Sequence, residues 1–318
     1  MAVNDLGDLE NLAYLLKYDS VYGRFDKEVS AKDGKLIVDG KEYLFLQQKD
    51  VTQLPWGNIG VDIVVEATGV FDSYEKAAVH LNAGAKRVVI TAPAKDEDGS
   101  ASSPQAAHDG LTVLMGVNEG DLKKCSLSSN GSCTTNSVSP VMEIISEKLG
   151  IKKAFLNTVH GYTAAQSLVD STVKGSDFRH GRAAAINIVP ASTGAATTVA
   201  KAVHELLGKF DGVAMRVPVS TGSLSAIVFV SSRLTTVKEI NQILKDAEKE
   251  SRWNGIFKTT TDLLVSTDII GDLYPAIADL SLTHVTDGDL CCVYSWYDNE
   301  YGYTTTLVQH VLKVAELM

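Results

Sequence analysis

The chain has 318 residues, 45% hydrophobic and 21% charged, with a formal net charge of -10 at pH 7. That acidity, with no basic run to offset it, argues against specific nucleic-acid binding. No apolar stretch reaches membrane-span length and no signal peptide is evident, so no membrane partner is expected; four cysteines without disulfide or metal-ligand spacing point to a reducing cytoplasm and to no metal centre.

The opening Met1-Ala2-Val3-Asn4-Asp5 reads as the end of a strand. An amphipathic helix follows, with Leu9, Leu12, Ala13, Leu15 and Leu16 on its apolar side. Residues 35–47 read as a hairpin that turns at Asp39-Gly40. A buried parallel strand over 61–66 leads into the turn Ala67-Thr68-Gly69. Residues 74–82 read as a helix that Gly84 stops, and 86–91 and 111–117 as two further strands. This alternation predicts an α/β fold with a doubly wound (Rossmann) parallel sheet. Such sheets bind nucleotides beyond the carboxyl ends of their strands, where an acid ending the second strand often holds ribose hydroxyls. Asp5 stands at that position, although Asn-Asp after a strand also serves as a plain helix cap. The Gly-rich turn that should precede it is absent.

The run Ser129-Asn130-Gly131-Ser132-Cys133-Thr134-Thr135-Asn136 sets one thiol among small polar residues. Val138, Val141, Ile144, Ile145 and Leu149 then recur at helical spacing, with Gly150 to end the helix and Pro140 in its first turns. Cys133 is therefore expected at a helix N-terminus, where free N–H groups and the dipole lower a thiol pKa. Buried, inert thiols are the better reading for Cys125, Cys291 and Cys292 in strand-like stretches.

Beyond Gly150 a strand over 155–159 ends in His160, and a long polar loop runs from Gly161 to about Arg182. Loops of that length are usually functional. Strands at 213–219, 224–230 and 290–296, with helices near 191–207 and 236–248, predict an α+β domain with a mostly antiparallel sheet. The expected division is 1–132 and 133–303, with a final helix over 304–318 packing back on the first part.

Several blocks together carry a resemblance: Leu16-Lys17-Tyr18-Asp19-Ser20, Ser132-Cys133-Thr134-Thr135-Asn136, Thr158-Val159-His160, Gly181-Arg182-Ala183, Ser192-Thr193-Gly194-Ala195, Arg216-Val217-Pro218 and Ser295-Trp296-Tyr297-Asp298-Asn299-Glu300. In this order, over nearly the whole chain, they resemble the phosphorylating glyceraldehyde-3-phosphate dehydrogenases of glycolysis. The resemblance implies that Cys133 is the nucleophile and His160 its acid–base partner, acting through a thioester that inorganic phosphate cleaves. It implies that Thr163 and Arg216 hold the substrate phosphate, that Ser132, Thr193 and Gly194 hold the attacking phosphate, and that Thr134 lines the same site. NAD is the implied cofactor, with Asp5 on the ribose, Thr68 and Gly69 along the adenosine side, Thr91 as a further cofactor-binding residue, Asn299 on the carboxamide and Tyr303 near the nicotinamide. A homotetramer in the cytoplasm is implied as well. Arg182 is read as bracing the long loop.

Against the family pattern, the first strand and glycine-rich turn are missing, and their loss is expected to split the parallel sheet. The resemblance therefore leads to the expectation that the natural protein is longer. Ser137 stands where a second Cys is common, and Ser171-Thr172 where an apolar residue and Pro are usual in NAD-specific members. The rival readings are an erythrose-4-phosphate dehydrogenase on the same scaffold, a truncated non-catalytic homologue and, more distantly, a cysteine protease.

Overall fold

The computed structural model describes residues 1–96 and 109–318. β1 (Ala2–Asn4) leads into α1 (Leu9–Lys17), whose start is capped by the Asp8 carboxylate accepting the Asn11 N–H. A small ribbon of β2 (Tyr18–Asp19) and β3 (Gly23–Arg24) follows, then β4 (Val29–Lys32), β5 (Lys35–Val38) and β6 (Lys41–Leu46). Asp39 and Gly40 join β5 to β6 with φ of 48° and 73°, the paired positive values of a tight hairpin turn. The expected hairpin is present. β1 runs parallel to β6, which closes a four-stranded sheet in the order β1-β6-β5-β4.

β7 (Ile63–Glu66), α2 (Tyr74–Ala77), α3 (Val79–Asn82), β8 (Arg87–Ile90), β9 (Leu111–Thr112) and β10 (Leu127–Ser129) build a second sheet, wholly parallel, in the order β7-β8-β10-β9. The Rossmann-type parallel arrangement is therefore present but divided, because β1 and β7 belong to separate sheets. Local expectations also change. β7 buries Val64 and Glu66 but leaves Val65 41% exposed and Ile63 only half-buried, so its second face is covered in part. The run 111–117 is a strand only over β9, because the Asn118 side chain takes the Leu114 N–H and donates to the Thr112 carbonyl, turning the chain there. The helix expected over 74–82 breaks at Ala78, and α1 hides only Ala13 while Leu15 and Leu16 stay exposed.

α4 (Cys133–Lys148) begins just past the carboxyl end of β10 and is buried along almost its whole length from Thr134 to Ile145. Next come β11 (Ile151–Gly161), β12 (Val189–Ser192), α5 (Ala195–Ala202), β13 (Phe210–Val217), β14 (Ser223–Ser231) and α6 (Val237–Ala247). β15 (Phe257–Thr260), β16 (Ala276–Asp279), β17 (His284–Thr286), β18 (Leu290–Tyr297) and α7 (Tyr301–Glu316) complete the chain. The large sheet has the order β12-β13-β11-β14-β18-β16-β15, with β17 beside β18. It is mostly antiparallel, as expected, with parallel pairs at β11–β13 and β15–β16.

One continuous core joins Val138, Val141 and Ile145 of α4 to Leu156, Ile227 and Val293 of the large sheet, Val199 of α5, Leu244 of α6 and Val314 of α7. Each such side chain contributes roughly 1.5–3 kcal/mol on burial. Val89 of β8 and the half-buried Ile63 of β7 share that core with Val314 of α7. α7 starts three residues earlier than the sequence suggests, because the Asp298 carboxylate accepts the N–H groups of Glu300 and Tyr301. Between 161 and 182 the only regular element is a single turn at Phe178–Gly181, and Arg182 donates to Asp170 across the loop at 3.0 Å. No helix among the described residues is long and apolar enough to cross a membrane.

Candidate active site

Cys133 is the first residue of α4. Ser132 caps the helix, its hydroxyl accepting the Thr135 N–H at 3.1 Å. Gly131 before it has a φ of 65°, and a Cβ there would meet the Thr135 methyl at 3.0 Å, so the turn into the helix needs glycine. β11 supplies the partner: its alternation turns Leu156, Thr158 and His160 inward, and His160 Nε2 lies 3.3 Å from Cys133 Sγ. Parallel pairing sets Arg216 of β13 in register with His160. Arg216 Nη1 lies 2.6 Å from His160 Nδ1 and donates to the Gly161 carbonyl at 3.2 Å.

His160 Nδ1 is 2.7 Å from that same carbonyl. The carbonyl calls for a proton on Nδ1 and the donor-only guanidinium calls for a lone pair there, so these two contacts compete for one nitrogen; with the proton on Nδ1, Nε2 offers its lone pair to the thiol. Burial and the Arg216 guanidinium push the His160 pKa down to about 4. The thiol does not follow the expectation from its helix position. Burial pushes the Cys133 pKa up, against the opposing pull of Arg216 and of the Thr134 N–H. The helix N-terminus acts in the predicted sense but loses to desolvation. The resting pair is a neutral thiol beside a neutral imidazole, and its chemistry is proton transfer coupled to attack.

Tyr297 of β18 adds a contact that sequence reasoning missed. Its hydroxyl lies 2.9 Å from Thr134 Oγ1 and 2.7 Å from Thr158 Oγ1, and its ring meets His160 edge-on at 5.9 Å between centroids. The signal was the strict alternation along β18, which buries 291, 293, 295 and 297. Ser137, one turn into α4, bonds Ser295 at 2.8 Å.

The other candidates lie around this centre. Thr163 follows β11 by two residues and its N–H donates to Gln166. Thr193 Oγ1 accepts the Ala195 N–H, and no atom lies within 4 Å of a Cβ built on Gly194, so the start of α5 is open. Asn299 is buried, with its side-chain oxygen accepting from the Gly222 N–H and the Ser223 hydroxyl. The Tyr303 hydroxyl donates to the Gly131 carbonyl at 3.2 Å. Asp5, Thr68 with Gly69, and Thr91 follow the carboxyl ends of β1, β7 and β8. Asp5 Oδ1 accepts the Gly7 N–H, and Thr68 is held by the buried Glu66 carboxylate, which also bonds His80 Nε2 at 2.9 Å. His80 Nδ1 accepts from Trp56. The structure thus joins Cys133, His160, Arg216 and Thr134 directly, and reaches Tyr303 through Gly131. Among the described residues no hydrogen bond joins Asp5, Thr68, Gly69 or Thr91 to that group.

Two family descriptions match the chain: glyceraldehyde 3-phosphate dehydrogenase, NAD binding domain, over residues 1–74, and glyceraldehyde 3-phosphate dehydrogenase, C-terminal domain, over residues 132–299. The chain is 46% identical over 309 residues to the glyceraldehyde-3-phosphate dehydrogenase of Thermotoga maritima, which covers 97% of this chain and 88% of that protein. It is 43% identical over 313 residues to that of Clostridium pasteurianum, covering 97% and 89%. Against that of Geobacillus stearothermophilus it is 44% identical over 317 residues, covering 99% and 90%.

Proposed function

Because the chain belongs to the glyceraldehyde-3-phosphate dehydrogenase family, we propose that it oxidises glyceraldehyde 3-phosphate to 1,3-bisphosphoglycerate with Cys133 as nucleophile and His160 as acid–base partner. It is an NAD-dependent oxidoreductase. The observation that carries the residue assignment is the 3.3 Å approach of His160 Nε2 to Cys133 Sγ with Arg216 beside them.

In this reading Cys133 Sγ adds to the aldehyde carbon as the thiol proton passes to His160 Nε2, giving a hemithioacetal. His160 passes that proton to the former carbonyl oxygen, and then takes the resulting hydroxyl proton as the carbon loses hydride. NAD, when bound, accepts the hydride. The thioester left on Cys133 is attacked by inorganic phosphate, which releases the acyl phosphate and restores the thiol. Arg216 is the natural holder of the substrate phosphate with Thr163: its Nε is buried without a partner among the described residues, so the guanidinium still has a donor for an anion. Ser132, Thr193 and Gly194 serve the attacking phosphate, and Thr134 fixes Tyr297 against His160. The residues also suit NAD. The Asn299 oxygen is engaged twice by backbone and hydroxyl donors, so its NH₂ would be the group to hold the carboxamide oxygen of NAD. Thr68, Gly69 and Thr91 stand where a doubly wound sheet receives its nucleotide, Asp5 has a second carboxylate oxygen for a ribose diol, and Tyr303 borders the nicotinamide end.

We further read 1–132 as the NAD-binding part and 133–303 as the catalytic part of a cytoplasmic homotetramer. Phe155, Val159 and Val228 are exposed on the side of the large sheet away from α4, with Phe155 and Val228 directly paired, which is an apolar face suited to a second copy. Light scattering on the purified protein tests the assembly; a monomer at micromolar concentration refutes it. The activity is tested by phosphate-dependent NADH formation from glyceraldehyde 3-phosphate. Cys133→Ser should abolish it. Retained turnover in that variant would remove the nucleophile assignment, and a preference for erythrose 4-phosphate would change the substrate.

A further inference from the structure

The peptide Ser129-Asn130-Gly131-Ser132 carries the thiol into α4, and something must hold it. α7 presents three side chains to it from one face, spaced 303, 306 and 310. Tyr303 donates to the Gly131 carbonyl. Thr306 Oγ1 accepts from Asn130 Nδ2 at 3.4 Å while donating to the Tyr303 carbonyl at 2.8 Å. His310, 0% exposed, bridges Asn130 Oδ1 at 3.1 Å and Ser128 Oγ at 2.8 Å. Since Asn130 donates its amide to Thr306, its oxygen faces the imidazole. His310 Nδ1 therefore carries the proton, and Nε2 accepts from the Ser128 hydroxyl. Asn130 is tied inward as well, because its carbonyl accepts from Asn136 Nδ2 of α4 at 2.8 Å. Every polar atom of the His310 ring is thus used, and both of its partners lie within five residues of Cys133.

We propose that His310 is a positioning residue for the Cys133 nucleophile, acting through Asn130 to fix the strap that sets the first turn of α4. The proposal rests on the reading of Cys133 as the reactive thiol. A helix whose first residues follow Asn299 and include Tyr303 also holds the strap that leads into Cys133, so the two sides of the reaction share one rigid element. Burial, which holds the His310 pKa down to about 4, keeps the ring neutral and the stated bonding intact.

The test is the rate of Cys133 alkylation by iodoacetamide, followed by peptide mass spectrometry, which needs neither substrate nor cofactor. Wild-type protein should label Cys133 ahead of Cys125, Cys291 and Cys292; failure here would refute the nucleophile reading itself. His310→Leu keeps the bulk but leaves Asn130 Oδ1 and Ser128 Oγ unpaired, and should change the Cys133 rate by roughly tenfold or more. His310→Gln restores a donor and should stay within about threefold of wild type. Thr306→Val cuts the Asn130 amide contact and should shift the rate in the same direction as His310→Leu, which keeps the question answerable if His310→Leu does not fold. Cys133 selectivity with unchanged rates in His310→Leu and Thr306→Val overturns the proposal. So does an equal change in His310→Leu and His310→Gln, which would mean that ring volume and not hydrogen bonding matters.

Discussion

Mild acid should weaken this fold before its carboxylates titrate, and His310 makes the effect measurable. The ring is fully buried, its partners are the neutral Ser128 and Asn130, and burial lowers its pKa from 6.5 to about 4. The unfolded chain therefore takes up a proton between those values that the folded chain refuses. Stability contributed by the neutral ring is intact above pH 6.5, falls as pH drops toward 4, and is constant below that. Linkage gives a loss of about 2 kcal/mol on going from pH 7 to pH 5 and about 3 kcal/mol in full. His160 acts in the same sense, so the wild-type slope exceeds one proton. Urea unfolding of wild type and His310→Leu at both pH values isolates the single ring, since every other group is common to the two proteins. Whatever its stability at pH 7, the variant should lose about 2 kcal/mol less than wild type at pH 5. Parallel losses would refute the claim that His310 is buried and neutral in the native state.

Three other outcomes follow from the same contacts. Because burial outweighs the helix dipole at Cys133, its alkylation rate should keep rising with pH beyond about 9; a plateau below pH 7 would show a resting thiolate instead. Gly131→Ala forces a side chain into a φ of 65° with Thr135 and Leu114 in the way, and should cost about 1–3 kcal/mol in urea unfolding while slowing NADH formation. Trp56→Phe leaves the buried His80 Nδ1 without a donor and should cost about 1–3 kcal/mol, seen as a lower melting temperature, with little change in Cys133 alkylation.

Much of the centre was legible because its signals are local. Helical spacing after a run of small polar residues located the start of α4, and β11 ends where His160 was expected. What could not be read depends on neighbours distant in sequence. The dipole at Cys133 is visible in the sequence, whereas the desolvation that overrides it comes from burial within the folded protein. β10 is three residues long, too short to show a period, and only its pairing with β8 and β9 defines it. Leu15 and Leu16 marked an apolar face, but a pattern does not say whether anything covers it. The buried residues Thr306, His310 and Val314 of α7 recur every four residues, so the inward direction of His310 was in the sequence while its partner, Asn130, was not.

The clamp on the nucleophile has a temporal side. Asn130 and His310 lie 180 residues apart, and the other two grips on the strap span 172 and 176. At about 5–20 residues per second, a ribosome needs on the order of ten to forty seconds to make the second half of each contact after the first has emerged. During that interval the segment bearing Cys133 exists without the element that orders it. Chain synthesis thus acts as a timer, and the thiol gains its working geometry only after the surrounding sheet strands have been made.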